Sequence, residues 1–148
     1  MPDIPDRVRE LCTIRDINMG GCCYHCDRKT GPGQRNLHHR IPGGPSTASN
    51  LVTLWPGCHV HRVHDRPADG YSGRWLVSKY DRRPTWAIPV WVQGLGWVRL
   101  DDEGGWTPVI GAGGRVAPAP RVVEVPRSLF GGPLQPRAHL AAPSRIAR

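Results

Sequence analysis

The alternation of apolar and polar positions predicts short elements, and the clearest of them lie in the middle of the chain. Leu37–Ile41 is typical of a short strand, which the Pro-Gly-Gly sequence of residues 42–44 brings to a stop. Asn50–Leu54 alternates and is partly β-branched, which predicts a second strand. Cys58–Asp65 begins a helix that Pro67 ends. The predicted order is therefore strand, loop, strand, helix.

Weaker patterns flank this unit on both sides. Asp6–Cys12 predicts a short helix within an N-terminal arm that spans residues 1–19. Residues 67–74 contain Gly, Asp and Arg and are expected to form a loop. Arg74–Tyr80 is expected to form a strand.

A hairpin is predicted further along the chain. Ala87–Val92 and Gly96–Leu100 are its strands, and Pro89 places the first of them at a sheet edge. Five of the six tryptophans lie from Trp75 to Trp106. Their expected role is a small core or a hairpin clamp, which we favour over base stacking.

Composition changes after Gly113. Residues 115–148 contain six Arg, six Pro and one acidic residue, without helical or strand periodicity. Such a segment cannot bury enough apolar area to offset the entropy of ordering, so a disordered basic tail is predicted over residues 113–148. Its charge would add non-specific attraction to phosphates.

Charge and length narrow the class of protein. The chain has 148 residues, the usual size of one domain, with a net charge of +8 and a pI near 9.9. This charge suits a polyanionic partner, nucleic acid first, although solubility alone is the simpler explanation. The polar N-terminus lacks an apolar signal core, and no run approaches the ~20 apolar residues of a membrane span. We expect a cytoplasmic protein with reduced thiols and no membrane partner.

The cysteines predict a metal site more than a disulfide framework. Five is an odd count, and Cys23 and Cys26 form a C-x2-C pair whose thiolates can reach one tetrahedral metal. Redox motifs of this spacing usually open a helix, whereas Cys26 leads into a loop rich in charge, Gly and Pro. Zinc is therefore favoured over redox chemistry.

The histidines cluster around the predicted strand, loop, strand and helix. His38 and His39 are adjacent, so on a strand they point to opposite sides. One can hold a metal while the other faces water or substrate, since imidazole is both a neutral ligand and a base near working pH.

The pattern of His38-His39, Gly43-Gly44, Asn50-Leu51 and Cys58-His59 resembles the HNH endonuclease motif, a ββα-metal nuclease site. The resemblance covers roughly residues 20–65, and a weaker one continues through the Trp-rich stretch, as in small HNH proteins of phages infecting actinobacteria. The fold it implies is α+β: a ββα-metal core at 20–68 with a zinc-knuckle-like N-terminal part, a Trp-rich β extension at 69–112, and the basic tail.

The resemblance also implies a role for each matched residue. His38 takes the position of the first metal ligand, His59 that of the helix metal ligand, and His39 that of the general base. Asn50 takes the asparagine position, where its amide holds the loop so that His39 stays aimed. The implied cofactor is one divalent ion, Mg²⁺, Mn²⁺, Ni²⁺ or Zn²⁺.

Two further sets of residues are predicted with alternatives open. His64 is a hypothetical second helix ligand, because five positions from His59 converge poorly on an α-helix, and His61 should face away. Arg40 is expected to contact phosphate, although a solvated strand end is an alternative, and Arg35 and Lys29 are expected to touch the DNA backbone or to keep the knuckle soluble.

The structural zinc departs from the family pattern. Related knuckles supply a second C-x2-C, but here only Cys58 is present and Trp55 stands where the other cysteine should be. Cys23, Cys26 and Cys58 are predicted ligands, and the fourth is left open between the following three residues: Cys22, His25 and His61. The alternative is a chain without zinc, in which Trp55 fills the space by apolar packing.

Three functions compete on these grounds. The first is a metal-dependent HNH endonuclease that nicks or cuts double-stranded DNA. The second is a zinc-stabilised DNA-binding or packaging-accessory protein with little catalysis, and the third is a thiol redox protein based on Cys22, Cys23 and Cys26. The phage resemblance implies work beside the terminase during genome packaging, in the host cytoplasm.

Overall fold

A computed structural model describes residues 3–31 and 33–110. The predicted tail, residues 113–148, lies outside the described part of the chain. The described residues form a mixed α+β fold with small antiparallel sheets. Within them, no helix has the length and apolar character needed to cross a membrane.

The two central strands form as an antiparallel hairpin. Strand β1 spans Asn36–His39 and strand β2 spans Leu51–Leu54, with His38 opposite Val52 and His39 opposite Leu51. The segment Ala48–Asn50, predicted to include the start of β2, is instead a 3-10 turn that leads into the strand. All four residues of β2 are buried, so the strand is covered on both faces.

The helix after β2 has two parts. Helix α2 spans Pro56–Cys58 and continues directly into a π-helix at His59–His64. The expectation that Pro67 ends the helix and opens a loop is wrong in its second half, because helix α3 spans Pro67–Ser72. Proline is favoured at the first helical position, where its missing N–H leaves no bond unmade. Pro67 therefore starts a helix.

The predicted hairpin is present and carries a third strand. Strands β3, Val90–Val92, and β4, Gly96–Leu100, pair antiparallel, and β4 also pairs with β5, Trp106–Pro108. Strand β3 is an edge strand that begins directly after Pro89, as that proline predicted. The fifth strand was not predicted, because three residues ending in proline give almost no periodic signal.

The tryptophans serve mainly as core and clamp, which confirms that prediction. Trp91 and Trp97 face each other across β3 and β4, with ring centroids 5.6 Å apart at 73°. Trp75 is 1% exposed, and its indole N–H donates to the carbonyl of Trp91 at 2.8 Å. Trp86 is the exposed exception.

The predicted strand at 74–80 does not form. Its apolar residues Trp75, Leu76 and Val77 are buried, but their backbone does not join a strand of the described sheets. Leu76 N–H donates to the carbonyl of Gly70, and Val77 N–H donates to that of Arg40. A short apolar run that is buried on all sides looks the same in the sequence as a buried strand. The predicted strand was therefore wrong although these residues are buried.

The N-terminal helix is longer than predicted and is held to the hairpin by buried polar contacts. Helix α1 spans Asp6–Asn18. Arg15, fully buried, donates to the carbonyls of Ala48 at 2.6 Å and Leu51 at 3.0 Å. Asp16 accepts hydrogen bonds from four side chains that come from four parts of the chain: Arg15, Tyr24, Arg35 and Thr53. These bonds fix the arm against β2.

One apolar cluster contains residues from both of the predicted segments, 20–68 and 69–112. It contains Cys23, Tyr24, Leu54 and Val63 from the first segment together with a larger set from the second: Trp75, Leu76, Val90, Val92, Val98 and Leu100. The β1–β2 hairpin and the Trp-rich sheet thus share a core.

Candidate metal centres

Three imidazoles from the hairpin and the following helix converge on one point. His38 Nδ1 lies 2.9 Å from His59 Nε2, and His59 Nε2 lies 3.1 Å from His64 Nε2. The three ring nitrogens are close enough together to hold one metal ion. We refer to His38, His59 and His64 as the histidine cluster.

The π-helix is what brings His64 into this cluster. In an α-helix, residues three and four apart share a face, and five apart do not. Here Asp65 N–H donates to the carbonyl of Val60 at 2.9 Å, an i to i−5 bond that marks the wider π turn. The two rings stack edge to face with centroids 4.6 Å apart. His61 does face away, as predicted: it is half exposed and its Nδ1 pairs with Asp65 at 2.9 Å.

The surroundings of His38 and His59 favour their neutral forms. Burial, followed by smaller contributions from the nearby His59, His64 and His39, lowers the pKa of His38 to about 3. Burial also lowers the pKa of His59, with a smaller contribution from His64. Only a neutral imidazole can offer a lone pair to a metal, so His38 and His59 have the protonation state that a ligand needs.

The donor set fits a transition-metal ion. Two nitrogens bound to one tetrahedral ion at 2.0–2.1 Å lie about 3.3 Å apart. The observed 2.9 and 3.1 Å would widen by a few tenths of an ångström. Three protein ligands also leave a fourth position for water or substrate, as in catalytic sites.

Asn36 lies directly behind His59. Its amide nitrogen is 3.2 Å from His59 Nδ1, the ring nitrogen that does not face the cluster. When Nε2 binds a metal, Nδ1 carries the proton and needs an acceptor. A half-turn of the Asn36 amide puts its oxygen in that place. Asn36, at the start of β1, can therefore orient the ring and fix its tautomer.

His39 lies outside the cluster but next to it on β1. Its Nε2 is 3.0 Å from Ser46 Oγ, and that oxygen is 3.4 Å from the carbonyl of Asp3. A Ser46 hydroxyl that donates to the Asp3 carbonyl can accept from the Nε2–H of His39, and in that tautomer Nδ1 is the basic atom. Burial lowers the pKa of His39, so the ring is neutral at pH 7.

Asn50 spans the loop between β1 and β2. Its Oδ1 accepts from Ile41 N–H and its Nδ2 donates to the carbonyl of Pro45, both at 2.9 Å. A Cβ on Gly44 would lie 3.0 Å from Asn50 Nδ2 and from Ile41, and Gly43 has φ +71°. The loop therefore needs both glycines. Asn50 is fully buried and acts through the loop, so it is a positioning residue and not one that touches substrate.

A second group of ligand atoms is formed by three thiols. The Sγ atoms of Cys23, Cys26 and Cys58 lie close enough together to hold a metal ion. Cys23 and Cys26 sit in a tight turn in which Cys23 N–H bonds to the carbonyl of Arg28 and Asp27 has φ 58°. We refer to these three residues as the cysteine cluster. No disulfide joins any of the cysteines, all of which fall in the described ranges.

The three thiols share their protons unequally. Hydrogen bonds from Cys23 and Cys58 lower the pKa of the Cys26 thiol well below its usual value. The same contacts, with burial, raise the pKa of Cys58. One thiolate is thus stabilised before any metal binds, and the thiolate is the ligand form.

Trp55 does not enter the cysteine cluster. Its ring lies under the guanidinium of Arg28, 4.2 Å from the ring centroid, and covers Gly57 so closely that a Cβ there would be 1.8 Å from the indole. The tryptophan that replaces the expected cysteine is therefore used for packing and a cation–π contact.

The predicted DNA contacts need one correction. Arg40 is fully buried, and burial lowers its pKa to about 10. Its guanidinium donates to five backbone carbonyls, those of Ser49, Arg74, Thr85, Ile88 and Pro89. No donor is left for phosphate, so Arg40 does not contact DNA.

The other two predicted DNA contacts, Arg35 and Lys29, differ in how exposed their side chains are. Arg35 is one-fifth exposed and pairs with Asp16 at 2.9 Å, so its first role is in the fold. Lys29 is exposed. It remains a predicted backbone contact.

Asn36 and Ser46 were missed from the sequence. A single Asn or Ser carries no motif, and only the pairing of β1 with β2 and the course of the loop place them against His59 and His39. Comparisons of the chain with known protein families, with curated proteins and with solved structures found no match. The functional argument therefore depends on the geometry of the chain itself.

Proposed function

We propose that this protein is a metal-dependent endonuclease of the HNH type that hydrolyses phosphodiester bonds in double-stranded DNA. The observation that carries the proposal is the histidine cluster with His39 beside it on the same strand. Ligands from a hairpin and the next helix, with an adjacent neutral imidazole, are the parts that a ββα-metal nuclease needs. The net charge of +8 supports a polyanionic substrate.

The residues divide the chemistry between them. His38, His59 and His64 would hold one divalent ion, which supplies Lewis-acid stabilisation of charge on the phosphate and the leaving oxygen. His39 Nδ1 takes a proton from the attacking water, since its pKa is lowered and Ser46 holds the proton on the other nitrogen. Asn50 keeps the loop, and with it Ser46, in place.

The ligand set also favours some ions over others. Three imidazole nitrogens without a carboxylate suit Zn²⁺, Ni²⁺ and Co²⁺, whereas Mg²⁺ prefers oxygen ligands. Of the four ions that the family resemblance allows, Ni²⁺ and Zn²⁺ therefore fit this cluster best. The cysteine cluster, with soft thiolates in a tight turn, suits a structural Zn²⁺.

The test is nicking of supercoiled plasmid by the purified full chain across a panel of divalent ions, with wild type beside His39→Ala. We expect wild type to nick in at least one transition-metal ion and His39→Ala to lose at least 100-fold of that rate, roughly the contribution of a general base. His61→Ala is the matched control, because His61 is exposed and lies outside the cluster. Equal rates for His39→Ala and wild type would refute the base assignment.

The same assay separates the second candidate function. Trp55, which stands where the family motif has a cysteine, is the departure that keeps open a zinc-stabilised DNA-binding protein with little or no catalysis. Zinc in the purified protein, a salt-dependent DNA complex and no nicking in any divalent ion would support that function over the nuclease.

A further inference from the structure

We propose that His25 is the fourth ligand of the cysteine cluster, so that the zinc site is Cys3His and is complete without the missing cysteine. The inference rests on the proposed zinc at this cluster and is independent of nuclease activity. Three of the four ligands, Cys23, His25 and Cys26, then come from one turn of the chain, and Cys58 is the fourth.

The distance between His25 and Cys58 is the first support. His25 Nδ1 lies 3.5 Å from Cys58 Sγ. A nitrogen at 2.0–2.1 Å and a sulfur at 2.3 Å from one tetrahedral ion lie about 3.6 Å apart. The separation of His25 Nδ1 and Cys58 Sγ is therefore the one that two ligands of a shared ion would have.

The ring of His25 is held in this orientation by the core. It stacks edge to face on Trp75, with centroids 4.9 Å apart at 68°. Trp75 is itself fixed by burial and by its hydrogen bond to Trp91. A ligand whose ring is oriented by a buried neighbour loses little freedom when a metal binds.

The other two candidates are directed elsewhere. Cys22 Sγ lies 3.2 Å from the carbonyl of Gly20, and neither Cys22 nor His25 belongs to the converging group of Cys23, Cys26 and Cys58. His61 is half exposed, and its Nδ1 pairs with Asp65 on the π-helix. His25, by contrast, has a ring nitrogen 3.5 Å from the Cys58 thiol.

A Cys3His site would connect the two metal centres through the chain. Cys58 ends α2, and the next residue, His59, starts the π-helix and belongs to the histidine cluster. Zinc bound by the knuckle and Cys58 would fix the position from which His59 points. Loss of zinc should therefore weaken metal binding at the histidine cluster as well.

The experiment uses cadmium-113 NMR of the full chain loaded with Cd²⁺, in which each added thiolate ligand moves the resonance downfield. We compare wild type, His25→Cys, Cys22→Ser and His61→Ala. His25→Cys keeps four ligands and is expected to fold, with its thiolate-site resonance shifted downfield as one sulfur replaces one nitrogen. Cys22→Ser and His61→Ala are expected to leave that resonance unchanged.

Zinc affinity, measured by competition with a chromophoric chelator, gives the second readout. His25→Ala should bind the structural zinc at least about 10-fold more weakly, since even an outer partner of a ligand is worth that much. A thiolate-site resonance that is the same in wild type and His25→Cys, or one that moves in Cys22→Ser, would overturn the assignment of His25 alone. The absence of any thiolate-bound Cd²⁺ in wild type would overturn the zinc site itself, whatever the outcome of the plasmid assay.

Discussion

The Nε2 atoms of His59 and His64 lie 3.1 Å apart although five positions separate the two residues in the sequence. The wider turn of the π-helix at His59–His64 produces this convergence. The position of His64 as a second helix ligand thus depends on a π-helix, a conformation that is rare in proteins. Such turns concentrate at functional sites.

His64→Ala should weaken metal binding far more than His61→Ala. The first change removes one of three converging nitrogens, whereas the second alters an exposed ring that pairs with Asp65. Because an outer partner of a ligand is worth 10–100-fold, we expect more than about 100-fold loss of Ni²⁺ affinity for His64→Ala. Isothermal titration with Ni²⁺ measures it. Equal affinities for the two variants would place the metal elsewhere.

Asn36→Ala should weaken metal binding without removing a ligand. The amide that contacts His59 Nδ1 is lost, so the ring is free to rotate and its tautomer is no longer fixed. We expect a loss of about 10–100-fold in Ni²⁺ affinity. Asn36→Asp is the matched variant: its carboxylate accepts from Nδ1 and should retain or raise the affinity. A weaker complex for Asn36→Asp than for Asn36→Ala would contradict this role.

Metal-free protein should lose stability as the pH falls from about 6.5 toward 3. His38 has an ordinary pKa of 6.5 in the unfolded chain and a pKa lowered to about 3 in the fold, so below pH 6.5 the unfolded state binds more protons. The contribution of neutral His38 to the free energy of unfolding is complete above pH 6.5 and is lost progressively below it. Between pH 6.5 and 5, the loss from His38 is about 2 kcal/mol.

Urea unfolding in the presence of a chelator, at pH 6.5 and at pH 5, measures this loss in the free energy of unfolding. His38→Asn, which keeps a polar atom near the position of Nδ1, should show a smaller drop than wild type. The idea fails when the two proteins lose the same free energy of unfolding between pH 6.5 and 5.

Arg40→Lys should destabilise the fold and should not act through DNA. An ammonium has three donors and cannot reach the five carbonyls that the guanidinium serves. Each buried carbonyl left without a partner costs about 1–3 kcal/mol, so we expect a loss of about 3 kcal/mol or more. Lys29→Met, at an exposed position, should change the free energy of unfolding by less than about 0.5 kcal/mol. Chemical denaturation compares the two, and a neutral Arg40→Lys would disprove the buried role.

Asn50→Ala should lower both stability and activity, whereas His39→Ala should lower activity alone. Asn50 makes two buried hydrogen bonds that close the loop, while His39 has one, to Ser46. We expect about 2–4 kcal/mol lost in the free energy of unfolding for Asn50→Ala. The melting temperature and the nicking rate are measured on the same preparations. An Asn50→Ala protein as stable as wild type would mean that the loop is held by other contacts.

Local patterns in the sequence were sufficient for the strand pair, the hairpin and the paired cysteines Cys23 and Cys26. Period-two alternation located β1, β2, β3 and β4 to within a few residues, and glycine and proline marked the turns between them. Cys23 and Cys26 were named from the C-x2-C spacing of metal ligands, whereas His38, His59 and Cys58 were named from the resemblance to the HNH motif. Composition alone also pointed to a polyanionic partner.

Only the tertiary structure decided which of these side chains meet and which make all their contacts within the fold. Whether His64 reaches His59 depends on a π turn, whose bonds differ from an α turn by one residue and leave no mark in hydrophobic periodicity. Arg40 has the charge of a phosphate contact, but the carbonyls that surround it come from residues up to 49 positions away. Burial and long-range hydrogen bonds are properties of packing, and a sequence pattern that spans a few residues cannot encode them.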